Sequence, residues 1–599
     1  MNFYSKKPKT KKIVGQIRQT QMITTFGCGS LVDFPNASVI MAGTDFWTNC
    51  DEEDTIQEVN LQKLLKVDYF IKPKSQDSTS TNPYKRSRDI PAFRFPKTLI
   101  CSNEKCGKIG YYKIFKRGNI LKCPICGNRN IVPSRFIVAC ERGHIEDFPY
   151  DWWVHRDDES CEKPDLRLFY GKETGGLDSI IIWCKTCGKG KSMKYSFTKN
   201  SLEGYSCSGN RPWLKDKDKV PCDEPLRTVQ RGSSNIYYPN HISALSIPPW
   251  SDAIQKELNK HEEYLRGLIE MNDKSMTNPM IDFLIKSSNM DKKLKCTKEE
   301  IKKQIMYRIE KYKDGTPKVE RDIMIDEYKA FLRGDDTSED FVIESEEVPE
   351  VFKEYIDQIV LAKKLKEVLV LTGFKRINPG DEFDNDKDKI APLSKKRKKW
   401  LPAVEFWGEG IFIKLNKKRI QKWEEDQQVI NRMKILENNK EKVDFNCNKF
   451  SPRYVLLHTF AHLLIRQITL QCGYSTSALK ERIYTTQDYG DEKYDMEGIL
   501  IYTASPDSEG SLGGLVSEGR KENLEKTIKK ALEQSRWCSS DPLCIQSSGQ
   551  GLNSLNLAAC HSCTLLPETS CEMRNLFLDR ATLIGEIDNK NIGYFSDLF

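Results

Sequence analysis

The sequence predicts an α+β multidomain protein. It has cysteine-knuckle modules in the first half, a charged helical insertion, and a C-terminal α/β module ending in a cysteine cluster. Three observations predict this. At 599 residues the chain exceeds what one hydrophobic core organises. Its 20 cysteines gather in C-x2-C and C-x4-C knuckles instead of spreading evenly. From 251 to about 389, apolar residues recur at three- and four-residue spacing among charges, the pattern of amphipathic helices.

Taken in order, residues 1–95 read as a β-rich segment with a basic arm. Lys6, Lys7, Lys9, Lys11, Lys12 and Arg18 occur there without an intervening acid, so the arm either contacts phosphate or is a solvated tail. The opening MNFYSKKPKTKKIVG lacks the apolar core of an export signal, and clustered knuckles outside an export context indicate a reducing cytosol. No apolar run reaches the length of a bilayer span, so a cytoplasmic protein without membrane contact is expected. FGCGS at 26–30 is glycine-rich but lacks a Gly-Lys-Ser/Thr ending, which favours a tight turn over a phosphate loop. A short strand is expected at 38–42 and a polar linker at 76–88.

Residues 96–135 contain CSNEKCGKIGYYKIFKRGNILKCPICGNRN. Cys101-x4-Cys106 and Cys123-x2-Cys126, each followed by glycine (Gly107, Gly127), form a zinc ribbon: paired thiolates grip one tetrahedral ion while backbone amides turn in toward sulfur. In 136–250, IIWCKTCGKGKS, YSCSGNRPW and VPCDEP offer Cys184, Cys187, Cys207 and Cys222 as a second zinc set. Cys140, His144, His155 and Cys161 either hold a further metal or are a core cysteine and histidines bonded to Glu146, Asp147 or backbone.

The insertion, 251–390, carries acidic loops near 335–350 and 381–388 and reads as a spacer or docking surface. The last module, 391–599, opens on the basic knot Lys395, Lys396, Arg397, Lys398, Lys399 and Trp400, a candidate DNA contact or else a solvated loop. A strand at 401–415 and a helix at 416–438 follow. SPRYVLLHTFAHLLIRQITLQCG then reads as an apolar helix stopped at Gly473. A strand, a glycine-rich loop and a helix at 521–537 lead to the cysteine cluster. There Cys560, Cys563 and Cys571, with Cys538 or Cys544 as the fourth ligand, are expected to close a zinc shell from which His561 points away. In all, about three structural zinc ions are expected. The net charge of +8 is modest, and four thiolates around zinc lower it further.

Catalytic signatures are sparse. Run 187–192, CGKGKS, has Lys185 where a Walker A needs its first glycine; H-x-K and H-E-x-x-H do not occur. The chain is therefore expected not to be an enzyme. The rival reading is a metal-dependent hydrolase or nuclease built on His458 and His462, one helical turn apart, with Asp488, Asp507 and Glu509 downstream. The apolar neighbours Leu456, Leu457, Phe460, Leu463 and Leu464 instead favour core histidines satisfied by backbone or a carboxylate. The loop 508–514, SEGSLGG, binds a phosphate through its amides or is a plain backbone bend.

Several long runs resemble a known family. VACERGHIEDFPYDWWVH, RGSSNIYYPNHISALSIPPW, HTFAHLLIRQITLQCGYSTSALKERIY, LIYTASPDSEGSLGGLV and LNLAACHSCTLLPETSCEMRN, with the opening QIRQTQMITTFGCGSLVDF, are similar to DrmB of the bacterial anti-phage system DISARM. The resemblance implies a non-catalytic subunit that pairs with a Swi/Snf-like helicase, DrmA, to engage DNA. A methyltransferase and a phospholipase-D-like protein belong to the same system. It also implies a C-terminal cysteine-bearing domain like that of some DNA helicases, with family cysteines at Cys538, Cys544, Cys560, Cys563 and Cys571. A pure assembly protein without DNA contact is the third reading.

Overall fold

The computed structural model describes residues 15–34, 37–47, 54–74, 90–118, 120–156, 161–171, 176–216, 221–248, 253–261, 264–265, 267–268, 274–294, 296–313, 320–378, 389–442, 450–489, 492–503, 513–586, 589 and 592–598. Lys6, Lys7, Lys9, Lys11, Lys12, the linker 76–88, the acidic loop 381–388, Asp507, Glu509 and loop residues 508–512 lie outside them. The fold mixes helices and strands in two units. The first comprises Met1–Ile56, Tyr69–Ile242 and Val370–Val404, the second Gln57–Asp68, Ser243–Leu369 and Glu405–Phe599. Among the described residues no helix is long and apolar enough to cross a membrane.

The first unit contains four small antiparallel sheets of three strands each among its described residues. Leu31–Phe34, Ala37–Met41 and Ala92–Arg94 form one; Ile131–Pro133, Thr98–Cys101 and Ile109–Tyr111 another. Ile145–Asp147, Phe136–Ala139 and Arg227–Gln230 form a third; Leu166–Tyr170, Ile180–Cys184 and Gly190–Ser192 a fourth. A shared core of Phe136, Val138, Phe148, Trp153, Leu168 and Ile182 fills the space between the last two. Strands of three to five residues bury little apolar area, so such sheets need cross-links to persist.

The turn at 26–30 follows the helix Gln21–Thr24 and leads into a strand, the reverse of a phosphate loop, so it is a tight turn. Gly29 sits there at φ +83°, and a Cβ would strike the Phe374 ring. Buried Arg376 donates to the carbonyls of Gly29, Gly143 and Ile236, tying this turn to two others.

The second unit is organised by a sheet in the order Asp336–Ser338, Phe341–Glu346, Ile356–Lys375, Trp400–Leu415, Glu492–Thr503, Leu479–Tyr489. Among the described residues the α-helices of the insertion therefore end at Leu332. Asp336–Ser338, Phe341–Glu346 and Ile356–Lys375, expected within a charged helical insertion with acidic loops, are strands instead. IDQIVLAKKLKEVLVLTGFK is dense in β-branched residues, which pack well on a pleated sheet and crowd a helix. The helices before it have a core of their own, including Leu258, Ile281, Leu284, Ile301 and Ile305.

The expected helix at 416–438 is two, Lys417–Glu424 and Gln427–Lys442. The Asp426 carboxylate accepts from the Gln428 amide and starts the second. Helix Pro452–Cys472 packs against the sheet, buried nearly all round. Ser451 caps its first turn, Pro452 sits where a missing N–H costs nothing, and Gly473 ends it at φ +71°.

Candidate metal centres

Five groups of four donors form among the described residues, where about three were expected, and each group's ligand atoms lie within 4.8 Å of one another. The described cysteines are all free thiols. The ribbon matches its local spacing. Cys101 Sγ lies 3.6 Å from Cys126 and Cys106 Sγ 3.7 Å from Cys123. Four thiolates about 2.3 Å from one zinc would stand about 3.8 Å apart, against about 2.05 Å in a disulfide. Gly107, at φ +50°, allows the knuckle to turn where a Cβ would enter the Leu168 carbonyl. Buried Arg167 donates to both Cys106 Sγ and its carbonyl, placing positive charge beside a site whose four thiolates outweigh a divalent ion. The Asn128 amide brings exposed Cys126 down to about 7.

The second expected set, Cys184, Cys187, Cys207 and Cys222, is not one group. Its two halves exchange partners with the cysteine–histidine run before it. Cys140 and His144 join Cys207 and Cys222; His155 and Cys161 join Cys184 and Cys187. Strand pairing decides this. Phe136–Ala139 runs beside Arg227–Gln230 with Ala139 opposite Arg227, which brings Cys140 to the segment carrying Cys207 and Cys222. Cys140 Sγ is 3.9 Å from Cys222, 3.8 Å from Cys207 and 3.4 Å from His144 Nδ1.

Helix Tyr150–His155 packs on strand Ile180–Cys184 and delivers His155 Nε2 to 3.3 Å from Cys187 Sγ. His155 Nδ1 faces the Asp151 carbonyl and carboxylate at 2.9 and 2.8 Å, so it carries the hydrogen and leaves Nε2 free to ligate. Burial works to raise the Cys184 thiol, but the Cys187 amide and thiol bring it down to about 6. At neutral pH it is the thiolate that binds metal.

At the C-terminus both Cys538 and Cys544 join Cys560 and Cys563, and Cys571 does not. The Sγ atoms of Cys538 and Cys560 are 3.4 Å apart, those of Cys544 and Cys563 3.8 Å, and those of Cys560 and Cys563 3.7 Å. Amides point into sulfur at Cys563, from Cys560, and at Cys538, from Ser540. The Cys544 thiol, outweighing burial, brings Cys563 down to about 5. Asp541 accepts from the amides of Cys538 and Ile545 and pairs with buried Arg580, which fixes the turn between the first two ligands. His561 is exposed and outside the group.

Cys571 lies instead with His458, His462 and Glu481, on a different set of elements. The carboxylate beside the histidines is Glu481, on strand Leu479–Tyr489; the side chains of the acids expected there, Asp488, Asp507 and Glu509, lie outside the described residues. No motif in the sequence marks Glu481.

Of the expected phosphate loop at 508–514, only Gly513 and Gly514 are described, and the amides there and just after meet an anion of the protein itself. The amides of Gly513, Leu515 and Val516 donate to the Glu409 carboxylate at 2.7, 2.9 and 3.2 Å. In the basic knot, Lys395, Lys396, Arg397 and Lys399 are exposed. Lys398 turns back to the Thr44 carbonyl at 2.8 Å and lies over the Trp400 ring, whose other neighbour is Trp47. Trp407 has Lys364 and Lys366 over its ring.

Residues 460–564 match the family model of the MrfA Zn-binding domain, and 18–238 match a domain of unknown function, DUF8724. The chain is 37% identical over 587 residues to the DISARM protein DrmB of Bacillus paralicheniformis, a match covering 95% of this chain and all of that protein. Among solved structures it resembles the DUF1998 helicase MrfA bound to DNA at 12% identity, covering 36% of this chain and 22% of that one. The TM-score of 0.20 is too low to carry the fold across. The donor sets and sulfur spacings fit structural zinc, as the matched zinc-binding domain requires.

Proposed function

Because the chain belongs to the DrmB family of DISARM proteins, we propose that it is a non-catalytic, zinc-stapled subunit of a bacterial anti-phage complex that engages DNA beside a Swi/Snf-like, DrmA-type helicase. Full-length similarity to DrmB carries this reading. The donor groups support it: each brings four protein ligands, which fills a tetrahedral shell and leaves no position for an attacking water. Zinc held that way keeps shape and does no hydrolysis. The thiols require a reducing compartment, which fits the cytoplasm. DNA modification and cleavage then fall to companions such as the methyltransferase and the phospholipase-D-like protein.

DNA is held through phosphate. Lys395, Lys396, Arg397 and Lys399 project from one exposed turn, while Lys398 and Trp400, packed against Thr44 and Trp47, hold that turn in place. Such contacts track backbone without reading sequence.

Fluorescence anisotropy of the subunit–helicase complex on single- and double-stranded oligonucleotides tests this. With about six phosphate contacts, affinity falls by about three orders of magnitude between about 50 and 200 mM salt. Replacing Lys395, Lys396, Arg397 and Lys399 by alanine weakens all sequences alike and reduces the salt slope by about 0.9 for each phosphate no longer neutralised. A binding constant indifferent to salt sinks the DNA contact and leaves an assembly subunit. Metal-dependent cleavage by the purified chain, abolished by His458→Ala, makes it a hydrolase.

A further inference from the structure

His458 and His462 stand one turn apart on helix Pro452–Cys472, with ring centroids 4.6 Å apart and planes at 88°, so both imidazole edges converge on one point. Glu481 from the neighbouring strand and Cys571 from the loop after the cysteine knuckle converge on the same point. His458 Nε2 is 3.0 Å from Glu481 Oε1 and 3.1 Å from Cys571 Sγ, and His462 Nε2 is 3.5 Å from Glu481 Oε1. Bond lengths of about 2.0 Å to nitrogen and oxygen and 2.3 Å to sulfur place tetrahedral ligands about 3.3–3.6 Å apart, close to these separations.

The surrounding hydrogen bonds prepare His462 and Cys571 as ligands. His462 Nδ1 lies 3.0 Å from the Thr564 carbonyl, which only accepts, so Nδ1 carries the hydrogen and Nε2 presents a bare lone pair. That lone pair faces a carboxylate oxygen and has no hydrogen-bond partner; Glu481 Oε2 has none either. Two acceptors opposed in a buried space call for a cation between them. Cys571 Sγ receives the amides of Met573 and Asn575 at 3.3 and 3.2 Å, as the sulfurs of the neighbouring four-cysteine group receive theirs.

Charge separates this cluster from the others. Four thiolates around a divalent ion leave two negative charges, three thiolates and an imidazole leave one, and all of those groups keep a ligand at the surface or half-buried. Two imidazoles, one carboxylate and one thiolate around a divalent ion sum to zero. That balance suits donors exposed by only 0% (His458, His462), 2% (Glu481) and 8% (Cys571).

We propose that His458, His462, Glu481 and Cys571 hold a fifth metal ion, a zinc-class divalent transition cation, in a closed mixed-donor site. Two nitrogens, one oxygen and one sulfur suit a borderline cation better than calcium or magnesium. The ion cross-links the central helix, the sheet and the C-terminal loop of the second unit. Thr564 couples it to the four-cysteine group, its carbonyl orienting His462 while its hydroxyl donates to Cys563 Sγ at 3.2 Å.

Anomalous diffraction at the zinc edge from crystals of the full chain, purified without chelator, locates each ion without a variant. The expected result is a peak between His458 Nε2 and Cys571 Sγ, separate from the peak among Cys538, Cys544, Cys560 and Cys563. No peak at the first position overturns the site, whether or not the cysteine groups are loaded. Native mass spectrometry adds a count: Glu481→Gln and His462→Ala each lose one metal of the wild-type complement. A wild type and a Glu481→Gln protein with equal metal content also overturn it.

Discussion

Glu58, at the N-terminus of the short helix Val59–Leu65, is buried. Burial, only partly offset by Lys366, pushes its carboxyl up to about 7. A raised carboxyl binds its proton more tightly folded than unfolded. Its stabilising contribution is therefore present below about pH 4.5 and lost as pH rises through about 7, by about 3 kcal/mol in all. Glu58→Gln should thus gain denaturant midpoint relative to wild type as pH goes from about 4.5 to 8; a difference constant with pH would sink this account. Cys563 presents the opposite case, a thiol brought down to the metal-binding form. Cys563→Ser should release one zinc and melt the C-terminal lobe, because apparent binding energies of about 10–16 kcal/mol per structural zinc are folding energy. Unchanged zinc content and calorimetric melting would contradict that. That Cys101, Cys106, Cys123 and Cys126 gather into one group was legible at this scale because they lie on one local hairpin-like stretch. Cys571 was not, since proximity in sequence to Cys563 says nothing of which side of the chain its sulfur faces.

Among elements, helix Pro452–Cys472 matters most, since two of its side chains enter the mixed-donor cluster while its apolar faces pack on sheet and neighbouring helices. Its start depends on Ser451, whose hydroxyl accepts from the Tyr454 amide at 3.1 Å. Ser451→Ala should cost about 1 kcal/mol, read as a lower urea midpoint with an unchanged slope. A change within error would mean that tertiary packing alone defines the helix end. Both ends of this helix were readable from sequence, because Ser-Pro and Gly act locally. The strand nature of Ile356–Lys375 was not, since a charged, apolar-rich run fits either period until a neighbouring strand is available to pair with it.

Across the whole molecule, the two units differ in what holds them. The first has three-stranded sheets of short strands and three cysteine-rich groups; the second has a longer sheet, with registered pairs such as Ile411 with Ile501, and a 21-residue helix packed on it. Chelation under reducing conditions should therefore strip hydrogen-exchange protection from 98–230 first and leave 410–414 and 498–502 protected. Simultaneous loss in both regions would show that metal holds the two equally. Residue order alone was enough to establish a multidomain α+β chain whose cysteines serve metal, a central helix running from Ser451 to Gly473, and the family it joins. Those features depend on local spacing and caps, or on long runs of similarity. Folding in three dimensions was needed to settle which cysteine meets which histidine, that Glu409 fills the amide nest at Gly513, and that Glu481 and Cys571 close on His458 and His462. Those pairings join residues far apart in the chain, and strand register and helix packing, not spacing, bring them together.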